Sequence, residues 1–163
     1  MKIFLKKTRE SEGYILFHSV FINKGRIRKG KIINANDIKL MSASGIEELY
    51  VGSMQKGEID ENSASRIIGQ AILSDNFSMS PTFSGKTNIT SKYDGLFEIN
   101  ENNVRKLNEI SSNIAISSLN NHDIVYRGDH VLSVKSISYA IKYSDVNNIV
   151  SFLSNENLIN LKE

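Results

Sequence analysis

The chain has 163 residues, 40% of them apolar and 23% charged. That balance is globular, excludes a disordered class, and leaves enough chain to bury a core without covalent staples. Cysteine is absent, which removes disulfides, thiolate metal centres and cysteine nucleophiles, and a net charge of +2 gives no general pull toward nucleic acid or acidic membranes.

The start, residues 1–7, has only three consecutive apolar residues, too few for a signal sequence or an anchor. No later segment reaches transmembrane length, so a cytoplasmic protein is expected. Residues 13–22 are rich in strand formers and read as one strand. Asn23-Lys24-Gly25 and Lys29-Gly30 are turn signals on either side of the alternating Arg26-Ile27-Arg28. Lys31-Ile32-Ile33 suits a short strand.

Asn34 is an N-cap for a helix running to about Ser44. Asp37 sits in its first turn, Ile38 and Met41 share a face, and Gly45 stops it. Residues 46–52 read as a strand. A second helix begins near Asp60, where Ala64, Ile67, Ile68, Ala71 and Ile72 form an apolar stripe at helical spacing. Gly69 within it is a mild cost.

Beyond Asn76 the pattern turns to strands at residues 79–89 and 95–99, and Pro81 points to an edge. A short helix is predicted over residues 101–110, strands over 114–119 and 131–141 with a turn at 126–129, and a closing helix over 145–153. The order predicts an α+β fold, mainly antiparallel strands with three or four short helices. The expected organisation is an N-terminal α/β subdomain over residues 1–75, carrying the basic turn, and a strand-rich C-terminal subdomain over 76–163. One continuous domain is the alternative.

Nucleotide-loop and nucleophile-elbow motifs are missing. His18 lies in an apolar run and reads as structural. His122 and His130, with Asp123 and Asp129 nearby, match no metal-ligand spacing and read as loop residues. Arg127-Gly128-Asp129 reads as a turn, and the acidic groupings as solvated faces.

One cluster stands out. Lys24, Arg26, Arg28, Lys29 and Lys31 lie within eight residues, flanked by Gly25 and Gly30. Arg26 and Arg28 would project from one side of an extended strand, and two guanidinium forks side by side suit a phosphate or carboxylate. A basic hairpin that merely keeps an edge strand soluble is the competing reading. A weaker candidate is residues 83–88, where Gly85, Lys86 and Asn88 could hold a polar ligand or simply form a hairpin corner.

Several pieces form an ordered set: Gly13 to Val20 with its His18-Ser19-Val20 run, the Lys-Gly-Arg-Ile-Arg-Lys-Gly-Lys stretch ending at Lys31, Ala43-Ser44-Gly45-Ile46, Gly57 to Asn62, Phe83 to Ile89, Asp94-Gly95-Leu96, and Gly128 followed by Val131, Val134, Lys135 and Ile137. The set resembles the N-terminal module of bacterial molybdopterin-binding proteins, which are related to molybdopterin molybdotransferases and often fused to a cytidylyltransferase-like domain. The resemblance covers roughly residues 12–141. It implies a role in molybdenum cofactor biosynthesis, molybdopterin as the ligand, and an anion-binding set of Arg26, Arg28, Lys29, Lys86 and Asn88. In that family the groups that activate molybdate belong mainly to other domains, so a non-catalytic accessory module is expected. Its partners would be molybdenum cofactor biosynthesis proteins or a molybdopterin-binding α/β domain, with no metal site, nucleic acid or membrane. A protein–protein interaction or homodimerisation module without a small ligand is the alternative.

Overall fold

The structure is a computed structural model that describes residues 1–162. It is α+β: every strand pairing is antiparallel, and four α-helices interrupt the strands. The helices are α1 (Ala35–Ala43), α2 (Glu61–Ile72), α3 (Glu101–Ile110) and α4 (Tyr143–Leu153). None of the described helices is long and apolar enough to cross a membrane.

Contacts divide the chain into two compact units, Met1–Lys56 and Gly57–Glu163. The division falls ahead of the seam expected near residue 75. The reason is α2, which the sequence reading assigned to the N-terminal part. Its apolar stripe packs on strands His130–Ser136 and Lys86–Ser91 and on α4, all in the second unit.

In the N-terminal unit a three-stranded sheet runs in the order Lys2–Lys7, Glu48–Ser53, Ile15–Leu16. Phe4 stands opposite Val51, and Leu16 faces Val51 from the other side. Period-2 alternation therefore turns Leu49 and Val51 inward, where they meet Leu16, Ile27, Ile33 and Met41. The Phe4 and Tyr14 rings meet edge to face with centroids 5.5 Å apart. Residues 13–22 are two short strands, Ile15–Leu16 and Val20–Ile22, rather than one. The second pairs with Gly25–Ile27 as a hairpin.

The C-terminal unit holds a four-stranded sheet in the order Ile114–Ser118, His130–Ser136, Lys86–Ser91, Phe77–Met79. A second sheet runs Ile124–Val125, Gly95–Ile99, Ile159–Lys162, and Ala140–Lys142 pairs with Glu58–Asp60. Ala64, Ile68 and Ile72 of α2 are buried against this core, each isoleucine contributing about 1.5–3 kcal/mol. Gly69 is required by close approach: a Cβ there would sit 2.9 Å from Thr87 Cγ2 and from Met79 Sδ. At the same interface Ser65 Oγ donates to the Gly85 carbonyl (2.6 Å) and accepts from Ser136 N (3.1 Å), so its buried hydroxyl is satisfied.

Three helix starts follow from their caps. Asn34 and Asp37 form a reciprocal capping box at α1, Asp60 accepts from the amides of Asn62 and Ser63 at α2, and Asn100 accepts from Asn103 N at α3.

Candidate functional site

The basic run lies on the hairpin of the N-terminal unit and the segment that follows it. Val20 stands opposite Ile27 and Phe21 opposite Arg26. Ile27 is buried in the core, so alternation sends Arg26 and Phe21 to the outer face, and Arg28 is exposed as well. Phe21 is 77% exposed, an apolar ring beside a guanidinium.

The backbone beneath these side chains is fixed at both ends. At the turn, Asn23 N donates to Ser44 Oγ (3.1 Å) and Asn23 Nδ2 donates to the Ala43 carbonyl (3.3 Å), tying the hairpin to the end of α1. At the base, Lys29 N donates to Ser19 Oγ (3.0 Å) and Gly30 N to the Leu16 carbonyl (2.7 Å). Leu16 N donates to the Lys31 carbonyl (2.8 Å) and Ile33 N to the Tyr14 carbonyl (2.9 Å). Gly30 has φ +82°, a left-handed conformation that favours glycine and lets the chain turn between Lys29 and Lys31.

The five cations do not act alike. Lys31 Nζ is 2.6 Å from Asp37 Oδ1, and the Asp37 side chain is 3% exposed. Lys31 is thus committed to α1. The side chains of Lys24, Arg26, Arg28 and Lys29 have no hydrogen-bond or ion-pair partner among the described residues. They stand on open surface and line none of the three cavities described for the chain. Together the four side chains form an exposed basic ridge.

Lys86 and Asn88 belong to the C-terminal unit, on strand Lys86–Ser91, and do not join the arginines within one unit. Asn88 Oδ1 accepts from Ser133 Oγ (2.8 Å) across the ladder, so this amide ties two strands together. Lys86 is exposed and lies directly opposite Lys135, whose ammonium donates to the Ser84 carbonyl. Residues 83–86 close a tight hairpin in which Ser84 (φ 49°) and Gly85 (φ 69°) take the positive angles of a two-residue turn. The corner reading explains this segment.

The aspartates beside two of the histidines are spent on structure. Asp123 Oδ2 accepts from Asn120 N (2.9 Å) and Asp129 Oδ2 from Tyr126 N (2.8 Å), closing the turns beside His122 and His130. No grouping of His, Asp and Glu suited to a metal ion occurs among the described residues. A cavity of about 510 Å³ opens at the start of α3, walled by Glu98, Asn100, Asn121 and Asn160 among others. Its polar groups are largely engaged: Asn121 Oδ1 accepts from Ile99 N (3.0 Å), and Glu98 takes Lys162 Nζ (2.5 Å) and Asn160 Nδ2 (3.0 Å). The Lys162 and Asn160 bonds hold the Glu98 carboxyl below the usual carboxylate range.

A family model described as a domain of unknown function (DUF8806) matches residues 6–53. The matched stretch lies inside the N-terminal unit and contains the whole basic hairpin. No curated protein and no solved structure matches the chain.

Phe21 is a member of this surface that the basic run by itself does not reveal, because it lies on the opposite strand of the hairpin. Its position opposite Arg26 follows from hairpin register, and the Asn23-Lys24-Gly25 turn signal was the cue that could have found it.

Proposed function

We propose that the chain is a non-catalytic accessory module of molybdenum cofactor biosynthesis, working in the cytoplasm, whose N-terminal unit engages the anionic part of molybdopterin. The ordered resemblance along residues 12–141 supports the ligand class. The observation that carries the anion reading is the set of four exposed cations, Lys24, Arg26, Arg28 and Lys29, without acidic partners on a hairpin pinned at both ends.

An exposed ridge differs from a pocket in what it can do. Isolated surface charges are screened by water and salt, so this ridge alone gives modest affinity. It suits recognition of a phosphate presented on a second molecule, where complementary charge speeds encounter and sets orientation. The module therefore acts with a partner, a molybdopterin-binding α/β domain or another cofactor biosynthesis protein. Arg26 and Arg28 supply bidentate forks, Lys29 adds charge, and Phe21 offers a flat apolar contact. Lys86 and Asn88 are left outside this group.

Titration of the full chain with molybdopterin, alone and with the partner protein, tests the reading. Arg26→Ala combined with Arg28→Ala should weaken binding about tenfold or more, the expected loss of two charge-assisted contacts. Equal affinity in both proteins removes the arginines from the site.

One observation favours the second reading, a protein interaction or homodimerisation module. On the sheet of the N-terminal unit, Ile3, Leu5 and Tyr50 are 44%, 51% and 53% exposed, and Leu5 stands directly opposite Tyr50. These side chains form an apolar outer face. Light scattering of the wild type against Leu5→Lys distinguishes a dimer using this face from a monomer.

A further inference from the structure

We propose that the C-terminal unit carries a separate anion site for a phosphomonoester, in a cavity of about 390 Å³ between the cross-strand pair Ser78 and Thr90 and the turns holding Lys92, Tyr93, Arg127 and Gly128. The site shares no residue with the hairpin of the N-terminal unit, and it does not depend on the reading given above.

Its wall is chemically one-sided. Lys92 and Arg127 supply two cations, Ser78 and Thr90 supply hydroxyls, Tyr93 adds a phenol, and no carboxylate side chain lines the cavity. Aspartates are close in sequence, yet their groups are bound to backbone or lie outside the wall. Asp94 Oδ1 accepts from Arg127 N (2.7 Å), and Asp129 Oδ2 accepts from Tyr126 N (2.8 Å). Asp75 contributes its main-chain carbonyl, which takes Lys92 Nζ (2.9 Å).

These bonds hold the turns and leave the cationic ends available. The Arg127 guanidinium has no partner among the described residues, so its fork of N–H donors is unspent. Lys92 has given one N–H to Asp75 and keeps the others. The Ser78 and Thr90 hydroxyls bond each other at 2.7 Å, and Thr90 Oγ1 also donates to the Ser78 carbonyl at 3.5 Å, so these two are engaged and the Tyr93 phenol is the neutral donor left on the wall. Two further backbone bonds fix the frame: Lys92 N to the Asn76 carbonyl (2.9 Å) and Gly128 N to the Ser91 carbonyl (2.8 Å).

Charge selects the ligand class. A carboxylate would neutralise one cation and leave the other uncompensated. A phosphomonoester carries about −1.5 to −2 near neutral pH and offers three acceptor oxygens, matching a guanidinium fork, an ammonium and a phenol together. The volume falls within the roughly 300–1,000 Å³ of small-molecule sites.

The test is a titration of the isotope-labelled full chain with inorganic phosphate, followed by amide NMR at ionic strength held constant with chloride. Saturable shifts are expected at Lys92, Tyr93, Arg127 and Gly128. Arg127→Ala and Lys92→Ala should each weaken phosphate about tenfold, while the Arg26→Ala, Arg28→Ala double variant should leave the same resonances and affinity unchanged. Shifts that rise linearly over every basic surface without saturating would overturn the site. So would an undiminished affinity in Arg127→Ala, or a loss confined to the hairpin variant.

Discussion

Lys31 and Asp37 form an ion pair of 2.6 Å that fastens the segment after the basic hairpin, which makes a single bridge at Ile32 rather than a strand, to the first turn of α1. Asp37 is the centre of a small network. Its Oδ2 accepts from Asn34 N (3.1 Å) while its own N–H donates to Asn34 Oδ1 (2.9 Å). Lys31, although it reads as one more member of a basic run, is a structural cation. The cations left for a ligand are its neighbours.

This assignment predicts the effect of Asp37→Ala. The substitution removes half of the capping box and the partner of Lys31, which is 44% exposed and so regains water. The expected loss is about 1–3 kcal/mol, dominated by the cap and the orphaned amides. Urea unfolding should show a lower midpoint with an unchanged slope. Lys31→Ala leaves the capping box in place but strips the buried carboxylate of its cation, with the Asn34 N–H as its remaining partner, so it too should lower the midpoint.

Gly69→Ala sets two effects against each other. Alanine gains about 1 kcal/mol in helix propensity. The added Cβ meets Thr87 Cγ2 and Met79 Sδ at 2.9 Å. Met79 can swing away, but Thr87 is β-branched and fully buried, so the helix itself must move. Overpacking of this kind costs about 1–3 kcal/mol, so the variant should be less stable by up to about 2 kcal/mol. A variant more stable than wild type in thermal unfolding would contradict the close packing of α2 on strand Lys86–Ser91.

Asp60 gives the fold a pH dependence of known sign. Burial pushes its carboxyl upward, but the hydrogen bonds from the Ser63 side chain and from the Ser63 and Asn62 amides outweigh this and hold it below its ordinary value. A depressed carboxylate contributes stability that is complete above the unfolded-chain value and is lost as pH falls through the folded one. Asp60→Ala should lose about 1 kcal/mol of capping at neutral pH, and Asp60→Asn only part of it. The advantage of wild type over Asp60→Asn should fade in acid. Paired denaturation curves at neutral and acid pH measure it, and a gap that widens toward low pH would reverse the sign.

Much of the helical part was legible because α1 and α2 carry start signals at Asn34 and Asp60, whereas α4 begins at Lys142 without a side-chain cap and shows only in its apolar spacing. Asn34, Asp60 and Asn100 are caps in the structure, and Ala64, Ile68 and Ile72 are the buried stripe of α2. Strands were less legible. Lys2–Lys7 escaped because its pattern reads inside out: Phe4 faces the core while Ile3 and Leu5 face outward. Residues 79–89 looked continuous, yet the chain breaks at Ser84 and Gly85, whose positive φ angles close a hairpin. Of the candidate site, the basic hairpin was visible from composition and glycine spacing. The diversion of Lys31 and the placement of Lys86 and Asn88 in the other unit depend on tertiary packing that local pattern does not encode. Lys92 and Arg127 are far apart in the chain and meet only through the turns that Asp94 and Asp129 close.

The most direct measurement is an amide NMR map of molybdopterin on the labelled full chain. Perturbations concentrated at residues 21–30, weakening with added salt and abolished by Arg26→Ala with Arg28→Ala, are the predicted result. A map that leaves those residues untouched while molybdopterin binds elsewhere, or not at all, would contradict the account.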